Sequence, residues 1–388
     1  MDRERRTSSI HVIRVICFLA AACPNCTRCC PTGSGCESYW AWQDCPPSSG
    51  CGGCGSCDST AASPGSALDL APEAGDLAAP AVPLALDAAV DAGPVDERGG
   101  TLAFVGTQTG TFLVVSLEAE DEVRVIRVDA NALDDDPLTV RPVGRVALDG
   151  EGPSRVVDDA HGRALLALRA GGAVAAVDPL AVSVSDRRAV CKEPNGLTVD
   201  AAGDAHVACG SGEIVTLHGG AEARRVAVDA SLDDVAAFGG SLLATGEGRL
   251  FVLDADAGAP LASDAEDAVG ALRVTPSGIL AAMGPTLGRF EAGRFRADVT
   301  LPGDVSDVAT AGGALALVSD GDAYLRASPD EAPVRIGGGL LARAVAMRDV
   351  AGENVVRRVL AVQTVSPRMV VFFTVPGAPA AAAIEPLE

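Results

Sequence analysis

Residues 153–170, PSRVVDDAHGRALLALRA, align without a gap on residues 194–211, PNGLTVDAAGDAHVACGS. Each stretch opens on a proline, runs through a short apolar strand to Asp and Gly, and continues into a second apolar strand ending at another turn. A repeat is settled first, because one copy cannot bury its apolar face alone and the fold follows from how copies stack. Weaker copies begin near Leu232, Val269, Val305 and Ala342, and a seventh hairpin, Leu102 to Leu117, stands in front. Seven hairpins between Gly99 and Pro376 give a period of about 40 residues. Short strands, Gly-bounded turns and that period predict an all-β chain, a seven-bladed β-propeller over 99–376, followed by a tail at 377–388. Helical repeats would place apolar residues every three or four positions, which does not occur here, and a β-sandwich would not repeat one four-strand unit this often.

The exclusions narrow the propeller type. Both tryptophans, Trp40 and Trp42, precede the repeats, so blade-tryptophan patterns are absent, and no Cys-x-x-Cys-His stretch would attach a c-type haem. The segments at Pro153 and Pro194, with Val-Asp, Gly, an apolar strand and a second Gly turn, resemble YncE or YVTN-type surface propellers. They are also similar, less closely, to gluconolactonase-like propellers. The first resemblance implies a non-catalytic binding module, and the second a metal-dependent hydrolase in which Glu151 and Asn195 would bind calcium. Asp233 could add an oxygen, but the second Asn ligand of that family has no counterpart.

Upstream of the repeats the chain changes character twice. Residues 58–98 hold 12 Ala, 5 Pro, 8 acidic residues and one Arg, a composition expected to stay a disordered acidic linker. Before it, residues 23–57 form a Cys-rich segment with Cys23, Cys26, Cys29, Cys30, Cys36, Cys45, Cys51, Cys54 and Cys57. Its C-x-x-C-x-x-C spacings admit disulfides or a metal cluster, and export would favour disulfides. Residues 1–22 carry Arg3, Arg5 and Arg6, a short apolar core and Ala20-Ala21-Ala22, the three-part pattern of a secretory signal. Leu19 to Cys23 resembles a bacterial lipobox, which makes Cys23 the expected lipidation site. The expected location is therefore outside the cytoplasm, periplasmic or on the outer surface, with contact to a membrane only through that anchor.

With 52 acidic and 30 basic residues the net charge is −22, which argues against nucleic acid as a partner. In a propeller the starts of the innermost strands converge on the central channel. The aligned starts are Ser154, Asn195, Asp233, Gly270, Ser306 and Arg343, and with Glu151 at the rim they form the expected binding face. Asp233 and Arg343 suit an envelope protein or a small polar ligand, and the domain is expected to be a monomer without a cofactor. No Gly-x-Ser-x-Gly, phosphate-loop or His-Glu-x-x-His motif occurs, and His161, His206 and His218 form no local ligand pair. A redox accessory is a third reading without a residue that would ligate haem. Finally, Cys191 should close an outer strand and Cys209 the second strand of the next blade, on the same side, so a Cys191–Cys209 disulfide is expected.

Overall fold

The computed structural model describes residues 100–132, 137–254, 260–264, 269–291, 294–337, 340–366, 368–375 and 381–387. The signal, Cys-rich and linker segments, Cys23 among them, lie outside the described residues. Twenty-eight strands form seven antiparallel sheets, each built from four strands consecutive in sequence. Among the described residues the one helical element is a 3-10 turn at Glu118–Glu120. The chain is thus an all-β, seven-bladed propeller.

The innermost strands of blades 1 to 7 are Leu102–Thr107, Pro153–Asp158, Pro194–Val199, Asp234–Phe238, Val269–Thr275, Val305–Ala311 and Ala342–Ala351. The second and third strands of a blade are buried on both faces, as in Ala173–Asp178, because each sheet is sandwiched between two neighbours. That is why these strands read as continuous apolar runs and not as alternating ones. One layer, between blades 1 and 2, packs Val114 and Val125 against Leu166 and Ala175. The outermost strand Ser183–Ala189 is mostly exposed.

The repeat has a physical origin in its turns. Asp159 Oδ1 accepts the N–H groups of His161 (2.7 Å) and Arg163 (2.9 Å), and Asp200 Oδ1 those of Ala202 (2.9 Å) and Asp204 (2.9 Å). An Asp that folds the chain over its own carboxylate, followed by Gly203 at φ 84°, makes a tight turn between the first two strands. Gly196 answers a different need: a Cβ there would lie 2.5 Å from the Asp234 Cα, so the innermost strands of blades 3 and 4 approach too closely for a side chain.

Blade 7 ends later than the sequence suggests. Ala381–Pro386 pairs with Met369–Val375, so part of the segment expected as a tail is the outer strand of the last blade. Its three alanines Ala381 to Ala383 carry little strand propensity, which hides it. Among the described residues no strand is exchanged between first and last blades. They are joined by an apolar layer that includes Leu102, Phe104 and Leu113 from blade 1 and Val359, Ala361 and Phe372 from blade 7. Thr101 Oγ1 donates to Gln363 Oε1 (2.5 Å) and Arg357 Nε to the Asn131 carbonyl (2.8 Å) across the same seam.

Cys191 and Cys209 form a disulfide, with Cα atoms 6.1 Å apart. It ties the crossover between blades 2 and 3 to the second strand of blade 3, closing a loop over a sequence separation of 18. Replacing both cysteines by serine is expected to lower the free energy of unfolding by about 3 kcal/mol, read from urea denaturation; an unchanged midpoint would mean that the bond carries no stability.

Candidate functional site

The strand starts do not form an open ring of side chains. Five innermost strands slip register there: between Pro153 and Val156, at Asn195, between Val269 and Leu272, between Val305 and Asp307, and between Ala342 and Ala344. Ser154, Asn195, Gly270, Ser306 and Arg343 therefore sit in β-bulges, which re-aim side chains and bend the strand. Ser154 Oγ turns toward the carbonyls of Ala167 (3.3 Å) and Pro194 (3.4 Å). Buried Asn195 donates Nδ2 to the Leu232 carbonyl (2.8 Å), while its Oδ1 accepts from Arg169 Nε (2.9 Å). Arg169 Nη1 reaches Glu118 Oε1 at 3.2 Å, and Arg343 Nη2 stands 4.0 Å from Glu118 Oε2. This joins Asn195 and Arg343 in one polar chain through blades 3, 2, 1 and 7. Glu151 Oε1 accepts from Arg187 Nε (2.6 Å), and Asp233 and Ser306 are half-buried.

That arrangement does not fit a divalent cation. Hard cations need several carboxylate or carbonyl oxygens with lone pairs to give. Here a guanidinium already lies on the Asn195 oxygen and another on Glu151. Cys191, Cys209 and Glu213 also come together, but the two sulfurs are bonded to each other. Histidines are equally engaged: His206 is buried between Thr216 Oγ1 (3.0 Å) and Asp200 Oδ2 (3.2 Å), and His218 pairs with Asp204 (2.6 Å). Exposed His161 lies at a turn, as expected.

One or more residues further along the innermost strands, charged side chains enter the channel. Arg155 of blade 2 crosses it, donating Nη2 to Asp234 Oδ2 of blade 4 (3.0 Å) and to the Leu272 carbonyl of blade 5 (3.3 Å). Asp234 Oδ2 in turn accepts the Leu272 N–H (3.0 Å). Arg273 of blade 5 donates Nε to the Val308 carbonyl (2.5 Å) and Nη2 to Asp307 Oδ1 of blade 6 (2.9 Å). Asp307, wholly buried, accepts the Val345 N–H of blade 7 (2.9 Å). Arg348 Nη1 closes the series on the Phe104 carbonyl of blade 1 (2.8 Å) and Asp158 Oδ2 of blade 2 (2.6 Å). Burial, and then the charge of Arg273, draw the Arg155 guanidinium below its ordinary pKa, against the opposing pull of Asp234 and Asp307.

Beside these struts lies a cavity of about 390 Å³, lined by all seven innermost strands. Its wall takes later positions of most of these strands, such as Leu197 to Val199, Leu272 to Val274 and Val345 to Arg348, together with Leu102 to Phe104 from the start of the blade 1 strand, so it lies mainly toward the strand ends. None of Glu151, Ser154, Asn195, Asp233, Ser306 and Arg343 lines it. The residues missed by the sequence reading are Arg155, Asp158, Asp234, Arg273, Asp307 and Arg348. Their signal was a charge in an otherwise apolar innermost strand, as in VSDVAT at 305–310 and ALRVT at 271–275.

No family model matches the chain, and no curated protein matches it. Among solved structures it is similar to a catalytically inactive virginiamycin B lyase from Staphylococcus aureus with quinupristin, at 9% identity and a TM-score of 0.51, covering 69% of this chain and 93% of that one. Hydrazine synthase of Kuenenia stuttgartiensis is similar at 15% identity and TM-score 0.55, covering 72% and 96%. A chain of the complex of BBS1N with ARL6DN is similar at 12% identity and TM-score 0.54, covering 74% and 96%. At such identities the likeness is one of fold, and folds of this kind host unrelated functions.

Asp307→Ala leaves Arg273 without its buried partner, and removing one member of such a pair costs about 3 to 5 kcal/mol. The urea midpoint should fall accordingly, and adding Arg273→Met should restore much of it; an unaltered midpoint in the single variant would remove the strut from the account.

Proposed function

We propose that the chain is an exported, non-catalytic binding propeller whose occupant enters the central cavity from the strand-end face. The observation that carries this reading is the cavity itself, where seven strands distant in sequence converge on one concave space of small-molecule size. Of the groups that could shuttle a proton, its wall holds one carboxylate, Asp158, which is engaged by Arg348 and by the Ala160 N–H. The hydrolase reading is weakened because the oxygens it needs, on Glu151 and Asn195, are already bonded to arginines.

The structural neighbours leave the occupant open, one having been solved with quinupristin and another with ARL6DN. A concave recess open at its mouth favours a small ligand over a flat protein contact. The face is nevertheless not purely polar: Phe238, Val274 and Val356 are exposed at strand ends or at the start of the following strand, on the same side as the cavity mouth. A YncE-type surface role accords with this, as does export: the Cys191–Cys209 bond suits an oxidising compartment, in keeping with the signal-like N-terminus and with lipidation at Cys23. The acidic linker would then hold the propeller away from the membrane.

The test is native mass spectrometry of the purified full chain after exposure to the small-molecule fraction of a cell-envelope extract. The wild type should retain an adduct, and Val274→Trp, which fills the exposed cavity mouth, should lose it without a change in melting temperature. Calcium-dependent lactone hydrolysis by the same preparation would replace this reading with the hydrolase one.

A further inference from the structure

We infer that the central cavity takes a small organic carboxylate with an apolar body, its carboxylate held by Arg273 and Arg348. This rests on the binding reading above and names the ligand class. The charged residues on the wall are Arg155, Arg273, Arg348 and Asp158, three guanidiniums to one carboxylate. The carboxylates that compensate Arg155 and Arg273 stand behind the wall, Asp234 with 8% and Asp307 with 0% of its side chain exposed. Their oxygens are occupied there by the N–H groups of Leu272 and Val345, so they offer nothing to a ligand.

The hydrogen-bonding capacity of the wall is lopsided in the same sense. A guanidinium has five N–H donors and no acceptor. Arg273 uses Nε and Nη2, and Arg348 uses Nη1, on the partners given above. Among the described residues no acceptor takes Arg273 Nη1 or Arg348 Nη2, and these side chains are 19% and 34% exposed. Asp158 is itself engaged, by Arg348 and by the Ala160 N–H. Surplus donors on the wall of a recess call for an acceptor-only group, and an ionised carboxylate is one, bonding guanidinium more strongly than a neutral acceptor does.

The remaining wall supplies the apolar part. Phe104, Leu197, Val235, Val274 and Met347 line the same space. At about 390 Å³ the cavity falls within the ~300–1,000 Å³ range of small-molecule pockets. The net charge of −22 repels polyanions from the mouth, whereas one carboxylate on a small apolar body meets far less of that repulsion.

The probes are phenylacetate and hexanoate, each against its uncharged amide, titrated calorimetrically into the full chain at neutral pH. Both carboxylates should bind, the amides at least about tenfold more weakly, and Arg348→Gln should weaken phenylacetate by a similar factor. Val274→Trp should abolish the binding. The proposal is overturned if neither carboxylate binds below about 10 mM, if an amide binds as well as its acid, or if binding survives Val274→Trp. The amide comparison needs no variant, so a folding defect in Arg348→Gln does not blunt the test. An envelope-derived adduct that proves neutral or cationic would overturn the carboxylate assignment while leaving the binding reading intact. Loss of every adduct and every probe would overturn both.

Discussion

A strand at the centre of a propeller has a neighbour on one side only, and the N–H and C=O groups of its other edge face the channel. Such groups are costly to leave unpaired once water is restricted. Here side chains from other blades meet several of them: Asp234 takes the Leu272 N–H, Arg155 the Leu272 carbonyl, Arg273 the Val308 carbonyl, Asp307 the Val345 N–H and Arg348 the Phe104 carbonyl. Each of these bonds runs between blades. The charges in the channel thus bond strand edges and connect blades 1, 2, 4, 5, 6 and 7 to one another.

The same struts shape the recess. Arg155 reaches from blade 2 to blades 4 and 5 and obstructs the channel at its own level. The recess, lying mainly toward the strand ends, remains open as the cavity, with guanidiniums on its wall and carboxylates behind. Other arginines serve a different end. Arg187, Arg188, Arg224 and Arg225 lie on outermost strands, where charge discourages edge-to-edge pairing with another molecule. An acidic chain can therefore hold a cationic recess, because its arginines are placed by the needs of strand edges and not by overall charge.

The blades were legible in the sequence because a turn is a local event: Asp159 and Asp200 fold the chain over their own carboxylates, and that leaves Val-Asp and Gly at fixed offsets. The Cys191–Cys209 bond followed from strand order alone. The site was not legible, because a β-bulge adds one residue without disturbing an apolar run. Counting from the strand starts points Ser154 and Ser306 into the channel, whereas the bulges there bring Arg155 onto the cavity wall and set Asp307 in the buried layer behind it. A shift of one residue turns a strand side chain to the other face. The last outer strand escaped notice for a simpler reason, an alanine run that lacks the branched residues by which strands are recognised.

Inner-edge backbone groups are thus satisfied by charged side chains of other blades. Native-state hydrogen exchange at the Leu272 and Val345 amides tests it most directly. Strong protection is expected at both in the wild type, close to that of blade-core amides such as Leu166. Selective loss is expected at Leu272 in Asp234→Ala and at Val345 in Asp307→Ala, beyond any global destabilisation measured at Leu166. Exchange of both amides at unprotected rates in the wild type, as expected if they faced only channel water, would contradict it.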